Sequence, residues 1–153
     1  MPPRPSGTSP ASDKGTAVSK LRPLTILIVD DVVETCRMYS GYFEFVGAKA
    51  IVARDGVEAL QAIYQYQPDA MLLDLAMPRM TGWETLESLR RDAARRDLPI
   101  IVLTGQISPG AQERALAAGA DLFLTKPCLP HVVFSFIVQL LRTGGPGPMP
   151  RGA

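Results

Sequence analysis

The sequence predicts a doubly wound α/β domain built on a parallel sheet, and three features point to it. Unbroken apolar runs recur between Leu24 and Arg142, among them Thr25-Ile26-Leu27-Ile28-Val29, Ala70-Met71-Leu72-Leu73 and Ile100-Ile101-Val102-Leu103. A run without alternation suits a strand buried on both faces, which is the situation in a parallel sheet covered by helices. These runs alternate with stretches of helical periodicity, the pattern of βαβ units. Right-handed crossovers then place the carboxyl ends of the strands along one edge. Four runs lead there into polar residues: Asp30-Asp31, Asp74, Thr104 and Lys126.

Taken in order, the first strand, Thr25 to Val29, is followed by a helix from Val33 to Val46, with Tyr39, Phe43 and Val46 as its inner stripe. Gly47 stands where helices favour a left-handed residue. Ala50 to Ala53 is the second strand, Asp55-Gly56 a turn, and Val57 to Tyr66 the second helix, stopped before Pro68. After the Ala70 strand, Met77-Pro78 makes a loop. A third helix starts at Thr81 or Gly82 and runs to about Arg90, with Trp83, Leu86 and Leu89 inward. Arg90, Arg91, Arg95 and Arg96 lie among Asp92 and Asp97, which reads as a solvated face of mixed charge. The fourth strand ends at Thr104. Pro109 then suits the first turn of a fourth helix that closes near Ala118, before Gly119. Leu122 to Leu124 is the fifth strand, and Pro130 to Arg142 the last helix.

The last helix carries more apolar surface than one buried stripe requires. Val132, Val133, Phe134, Phe136, Ile137, Val138, Leu140 and Leu141 leave only His131, Ser135, Gln139 and Arg142 as a polar line. Two explanations stay open, a thick local core and an interaction surface.

The 153 residues suit one domain at 24–142, flanked by segments 1–23 and 143–153 whose Pro, Gly and Ser content predicts flexible tails. A net charge of +1 gives no electrostatic case for direct nucleic-acid binding. No apolar run is long enough for a bilayer, and no signal-peptide core follows the N-terminus, so no membrane association and a cytoplasmic location are expected. Cys36 and Cys128 lack metal or redox spacing and read as free thiols.

Convergence of Asp30, Asp31 and Asp74 would raise carboxyl pKa values unless a cation neutralised them. Hard oxygen ligands suit Mg²⁺, and neither His nor Cys is placed to suggest zinc. Lys126 is a compact charge able to hold a phosphoryl oxygen, and the Thr104 hydroxyl can hydrogen-bond another. An aspartate that accepts a phosphoryl group needs neutralisation of this kind. Each feature alone has a plainer explanation: a helix N-cap for Asp30-Asp31, a strand-end turn for Thr104, a surface turn for Lys126-Pro127 and a core aromatic for Phe123. Only the set reads as a phosphorylation site.

Val29-Asp30-Asp31, Leu73-Asp74-Leu75-Ala76-Met77-Pro78 with Gly82, Leu103-Thr104-Gly105 and Leu124-Thr125-Lys126-Pro127, in this order and at these intervals, resemble the receiver domain of bacterial two-component response regulators. The likeness is to the single-domain kind typified by the chemotaxis regulator, and it covers Leu24 to Arg142. It implies a flavodoxin-like five-stranded parallel sheet of order 2-1-3-4-5 with five helices. It implies Asp74 as phospho-acceptor, loaded by a histidine kinase or histidine phosphotransfer protein. Asp31 and Asp74, with the backbone carbonyl of Ala76, would hold Mg²⁺ directly, and Asp30 largely through water. Thr104 would be the switch hydroxyl, Phe123 the switch aromatic and Lys126 the phosphoryl contact, with a cis bond to Pro127. Ala76 and Gln106 stand where the family tunes phosphoryl lifetime, and both depart from its commonest pattern. The resemblance also implies a downstream effector protein, and a possible homodimer through the fourth helix, fifth strand and fifth helix. It describes a signalling domain rather than a turnover enzyme.

Two rivals remain. An aspartyl-phosphate hydrolase of haloacid dehalogenase type would need a second aspartate where Ala76 stands, and an unphosphorylated receiver scaffold would leave a complete site unused.

Overall fold

The computed structural model describes residues 22–105 and 108–143. The two expected tails lie outside the described residues apart from Arg22, Pro23 and Thr143, and so does Gln106. The elements follow in the order β1 (Thr25–Val29), α1 (Val33–Phe45), β2 (Lys49–Ala53), α2 (Gly56–Tyr66), β3 (Ala70–Leu73), α3 (Gly82–Arg91), β4 (Ile100–Thr104), α4 (Ala111–Ala117), β5 (Leu122–Thr125) and α5 (Pro130–Thr143). The strands pair in parallel in the order β2-β1-β3-β4-β5, as the resemblance implied.

Side chains alternate across each strand, so the unbroken apolar runs feed two cores. Leu27, Val29, Met71, Leu73, Val102 and Phe123 face α2, α3 and α4, where Ala59, Ile63, Leu86 and Leu89 meet them. Ile26, Ile28, Leu72, Ile101, Leu103 and Leu124 face α1 and α5, against Tyr39, Phe43, Val133 and Ile137. Burying each large aliphatic side chain contributes about 1.5–3 kcal/mol, so the sheet is anchored from both sides.

The ladder continues one residue past three strands. Asp30 N donates to Ala53 O at 3.0 Å, Asp74 N to Val29 O at 3.0 Å, and Lys126 N to Thr104 O at 2.9 Å. The backbones of three polar residues at the carboxyl edge are therefore set by the sheet itself.

Several local expectations change. The first helix ends at Phe45, so Val46 falls beyond it as the C-cap and is exposed. Gly47, at φ 95°, does take the left-handed conformation. Gly110 caps the fourth helix at φ 80°, which leaves Pro109 in the turn before it rather than in its first turn. Trp83 is half-buried, and the Arg114 guanidinium lies 3.9 Å from its ring centroid.

Arg90 departs most from the solvated face expected of it. It donates to the carbonyls of Gly119 at 2.9 Å, Leu98 at 2.9 Å and Arg96 at 2.7 Å, and to Asp121 at 3.2 Å. Its side chain is only 16% exposed, so this arginine works as an internal brace among backbone acceptors.

On α5, Val132, Phe134, Phe136, Val138 and Leu141 are half-buried. Phe134 packs on Tyr42 and Phe43, with ring centroids 6.2 and 5.8 Å away. Much of the surplus apolar surface is thus taken up by a thick core between α1 and α5.

Candidate functional site

The sheet brings Asp30, Asp31, Asp74, Thr104 and Lys126 together at its carboxyl edge. Asp30, Asp74 and Thr104 are 3%, 5% and 0% exposed, while Asp31 and Lys126 are half-buried. The Thr104 hydroxyl donates to Asp74 Oδ1 at 2.8 Å. Lys126 Nζ donates to Asp30 Oδ2 at 2.7 Å and to Asp74 Oδ2 at 3.3 Å. Backbone amides complete the set: Val32 N donates to Asp30 Oδ1 at 2.9 Å and Ala76 N to Asp74 Oδ1 at 3.3 Å. The Lys126-Pro127 peptide bond is cis, as implied.

Burial raises the Asp30 carboxyl above its ordinary pKa, and the charge of Asp74 adds to this, against the hydrogen bonds from Lys126 and Val32. Burial works against the Lys126 ammonium, but its hydrogen bond to Asp30 and the charges of Asp74 and Asp30 outweigh it and raise its pKa. One ammonium does not neutralise three carboxylates. Asp30, Asp31 and Asp74 each offer an oxygen within 4.8 Å of the others, a donor set that fits a hard divalent cation.

The surrounding loops are packed for close approach. A Cβ on Gly82 would sit 2.0 Å from Asp74 O and 2.6 Å from Leu75 Cα, so the start of α3 lies against the backbone of the pocket. Thr81 and Glu84 form a capping box that fixes that start. Phe123 is 4% exposed and belongs to the core under α3 and α4, beside a shallow recess bordered by Ser108, Ala111 and Thr125. Ala76 is exposed.

Sequence reasoning missed the outer contacts of the pocket. Arg79 pairs with Asp55, and Arg54 donates to the Asp31 carbonyl at 3.2 Å. Tyr39 OH donates to the carbonyl of Cys128, tying α1 to the loop after Lys126. Asp55 followed three residues later by Glu58 signals a helix start, but nothing in its spacing announces Arg79.

Fold and geometry together define a doubly wound α/β domain with a buried carboxylate, hydroxyl and ammonium grouped in an acidic pocket at the sheet's carboxyl edge. The response regulator receiver domain model matches residues 26–137, and the chain belongs to that family. It is 38% identical over 128 residues to the response regulator MprA of Mycobacterium sp. strain KMS, covering 84% of this chain and 55% of that protein. It is 35% identical to the phosphate regulon transcriptional regulatory protein PhoB of Pseudomonas aeruginosa, over 80% of this chain and 54% of that one. The chain thus spans about half the length of these curated relatives. Among solved structures, the chemotaxis response regulator CheY4 of Vibrio cholerae superposes with a TM-score of 0.70 at 30% identity, covering 78% of this chain and 98% of that chain. The signal receiver domain of a signal transduction histidine kinase from Syntrophus aciditrophicus gives 0.71 at 33% identity, over 77% and 89%. Receiver domains are signalling domains rather than typical turnover enzymes.

Proposed function

We propose that this receiver is a Mg²⁺-dependent phospho-acceptor switch in which Asp74 takes a phosphoryl group from a histidine kinase or histidine phosphotransfer protein. The observation that carries the reading is the dual contact of the Asp74 carboxylate, with Thr104 on one oxygen and Lys126 on the other, inside a group of three carboxylates.

Asp74 is the nucleophile. Its carboxylate oxygen forms a bond to phosphorus as the phosphorus–nitrogen bond to the donor's histidine breaks, with the electron pair of that bond passing to the ring nitrogen. Asp31, Asp74 and the Ala76 carbonyl would hold Mg²⁺, with Asp30 largely through water, and the bound ion would supply positive charge against the phosphoryl oxygens. Lys126 supplies a second positive charge at the same place, released from part of its present bond to Asp74. Thr104 gives up its bond to Asp74 Oδ1 and follows a phosphoryl oxygen, which draws the end of β4 inward and lets Phe123 repack between β5 and α4. Ala76 and Gln106 set the lifetime of the phosphoryl group.

Val32, Val33 and Leu129 are exposed and follow Asp31 and Lys126 closely in the chain, and apolar surface of this kind supports a protein as phosphodonor. The response is read by a downstream effector, or by a second copy of the domain, at the surface of α4, β5 and α5, next to Thr104 and Phe123. The helices among the described residues are too short or too polar to cross a membrane, which is compatible with a cytoplasmic site of action.

Intact-mass measurement after incubation with acetyl phosphate and Mg²⁺ tests the reading. The mass should rise by one phosphoryl group, and the gain should vanish in Asp74→Ala and on chelation of Mg²⁺. Persistence of the gain in Asp74→Ala would overturn it.

A further inference from the structure

Three loops at the carboxyl edge meet at the first turn of α2. Asp55, 4% exposed, caps that helix by accepting from Glu58 N at 2.9 Å. Its other oxygen accepts from Arg79 Nε at 2.7 Å and also from Nη2 of the same guanidinium. Gly56 N donates to Met80 O at 3.0 Å, so the β3–α3 loop is held to α2 at two consecutive residues. On the other side, Glu58 accepts from Arg54 N at 2.8 Å, and the Arg54 guanidinium reaches the Asp31 carbonyl at 3.2 Å. The start of α2 thus joins the loop that carries Asp30 and Asp31 to the loop that carries Ala76.

Arg79 is not placed for backbone comfort. Its φ of 61° is in the left-handed region, where a side chain is disfavoured and glycine or asparagine is the usual occupant. The ion pair compensates, because it joins a half-exposed guanidinium to a carboxylate whose side chain is only 6% exposed. Only Met77 and Pro78 separate this strained position from Ala76, whose N–H is already bonded to Asp74 Oδ1.

We infer that Arg79 and Asp55 form a clamp that positions the β3–α3 loop, and with it the Ala76 carbonyl, against Asp31, so that this ion pair sets the divalent-cation affinity of the pocket from outside it. The inference rests on the Mg²⁺ reading above. Arg79 and Asp55 touch neither the ion nor the phosphoryl group and act through the backbone between them.

Calorimetric titration of the full chain with MgCl₂, without any phosphodonor, tests the clamp. Arg79→Gly removes the guanidinium but also the left-handed strain, so the fold should not be weakened by its backbone. Asp55→Asn keeps an oxygen to cap α2 while it discards the charge. Contacts that orient a metal ligand change affinity by about 10- to 100-fold. Acting through main chain, each variant should weaken Mg²⁺ binding by about tenfold, with thermal midpoints in EDTA close to wild type. The double variant should lose no more than either single one, because both remove the same contact. Arg79→Lys should recover part of the affinity. Wild-type affinity in both Arg79→Gly and Asp55→Asn would overturn the clamp, as would a loss that tracks a lowered midpoint and is not shared by the two. Asp31→Asn separates the layers: if it binds Mg²⁺ as the wild type does, or if the wild type binds none, the metal reading fails rather than the clamp.

Discussion

Helices α3 and α4 each follow a strand whose end reaches the pocket, yet they are anchored in opposite ways. α3 runs for ten residues, starts on the Thr81–Glu84 capping box, and buries Leu86 and Leu89. α4 runs for seven, starts on left-handed Gly110 with no side-chain cap, and its buried residues are Ala111 and Ala115. A cap contributes about 1 kcal/mol, and two alanines remove far less apolar area from water than two leucines. Short helices are marginal unless tertiary packing holds them. The half of the pocket that presents Asp74 and Ala76 is therefore fixed, and the half that follows Thr104 is held loosely. Elements that move in switching are drawn from such weakly held parts.

The largest effect should come from breaking the fixed half. Gly82→Ala would place a Cβ 2.0 Å from Asp74 O, with only backbone to yield. A cost of about 3 kcal/mol or more is expected, together with loss of Mg²⁺-dependent phosphoryl uptake. Gly110→Ala is the counterpart in the loose half. Among the described residues no heavy atom lies within 4 Å of its would-be Cβ, and the remaining cost is the left-handed backbone, about 1–2 kcal/mol. Urea melts of the two variants check the ranking, and equal losses would remove the contrast between the helices.

Legibility in the sequence followed the strands rather than either half. Strands buried on both faces lose their alternation, so β1, β3, β4 and β5 could be read directly, and the polar residue at or just past the end of each one named the pocket. Asp30, Asp74, Thr104 and Lys126 were visible for that reason, since parallel crossovers leave their strand ends nowhere else to go. Arg90 was not. A side chain that spans from α3 to the carbonyls of Gly119 and Leu98 looks, in one dimension, like any charge among other charges. The Arg79–Asp55 pair joins residues 24 apart through a left-handed backbone that no periodicity reports. Pro109 misled because it favours a first helical turn in general, whereas Gly110 at φ 80° starts this helix one turn feature later. Long arginines and backbone conformation outside regular elements are set by the tertiary structure, and pattern alone is silent about both.

A smaller effect separates the charge of the fixed half from its packing. The Asp30 carboxyl is raised in the fold, mainly by burial. A raised carboxyl contributes stability that is complete below its unfolded pKa and is lost as pH rises through the folded value. At neutral pH and without divalent cation, ionised Asp30 therefore works against the fold. Asp30→Asn keeps one oxygen to accept from Val32 N, leaves Lys126 Nζ to Asp74 Oδ2, and should raise the thermal midpoint at pH 7 by roughly a few degrees. The gain should shrink toward zero near pH 4 and be replaced by a deficit when Mg²⁺ is added. A gain that persists unchanged at pH 4 would mean that packing, not ionisation, is responsible.

The smallest effect concerns a side-chain contact between the two helices. The Arg114 guanidinium of α4 lies over Trp83 in the first turn of α3, 3.9 Å from the ring centroid. At a half-exposed site such a contact contributes about 0.5–1 kcal/mol, enough to bias α4 toward α3 but not to hold it against the inward shift of Thr104 proposed above. Trp83 is the only tryptophan in the chain, so its emission reports this contact without a label. Beryllofluoride with Mg²⁺ should change Trp83 fluorescence in the wild type and much less in Arg114→Ala, where the ring has already lost its cation. Arg114→Ala should also lower urea stability by no more than about 1 kcal/mol and respond to beryllofluoride at a lower concentration, because α4 starts from a less biased position. An unchanged fluorescence response in the variant would show that α4 stays docked on α3 during switching, and the contrast between the two helices would not extend to the switch.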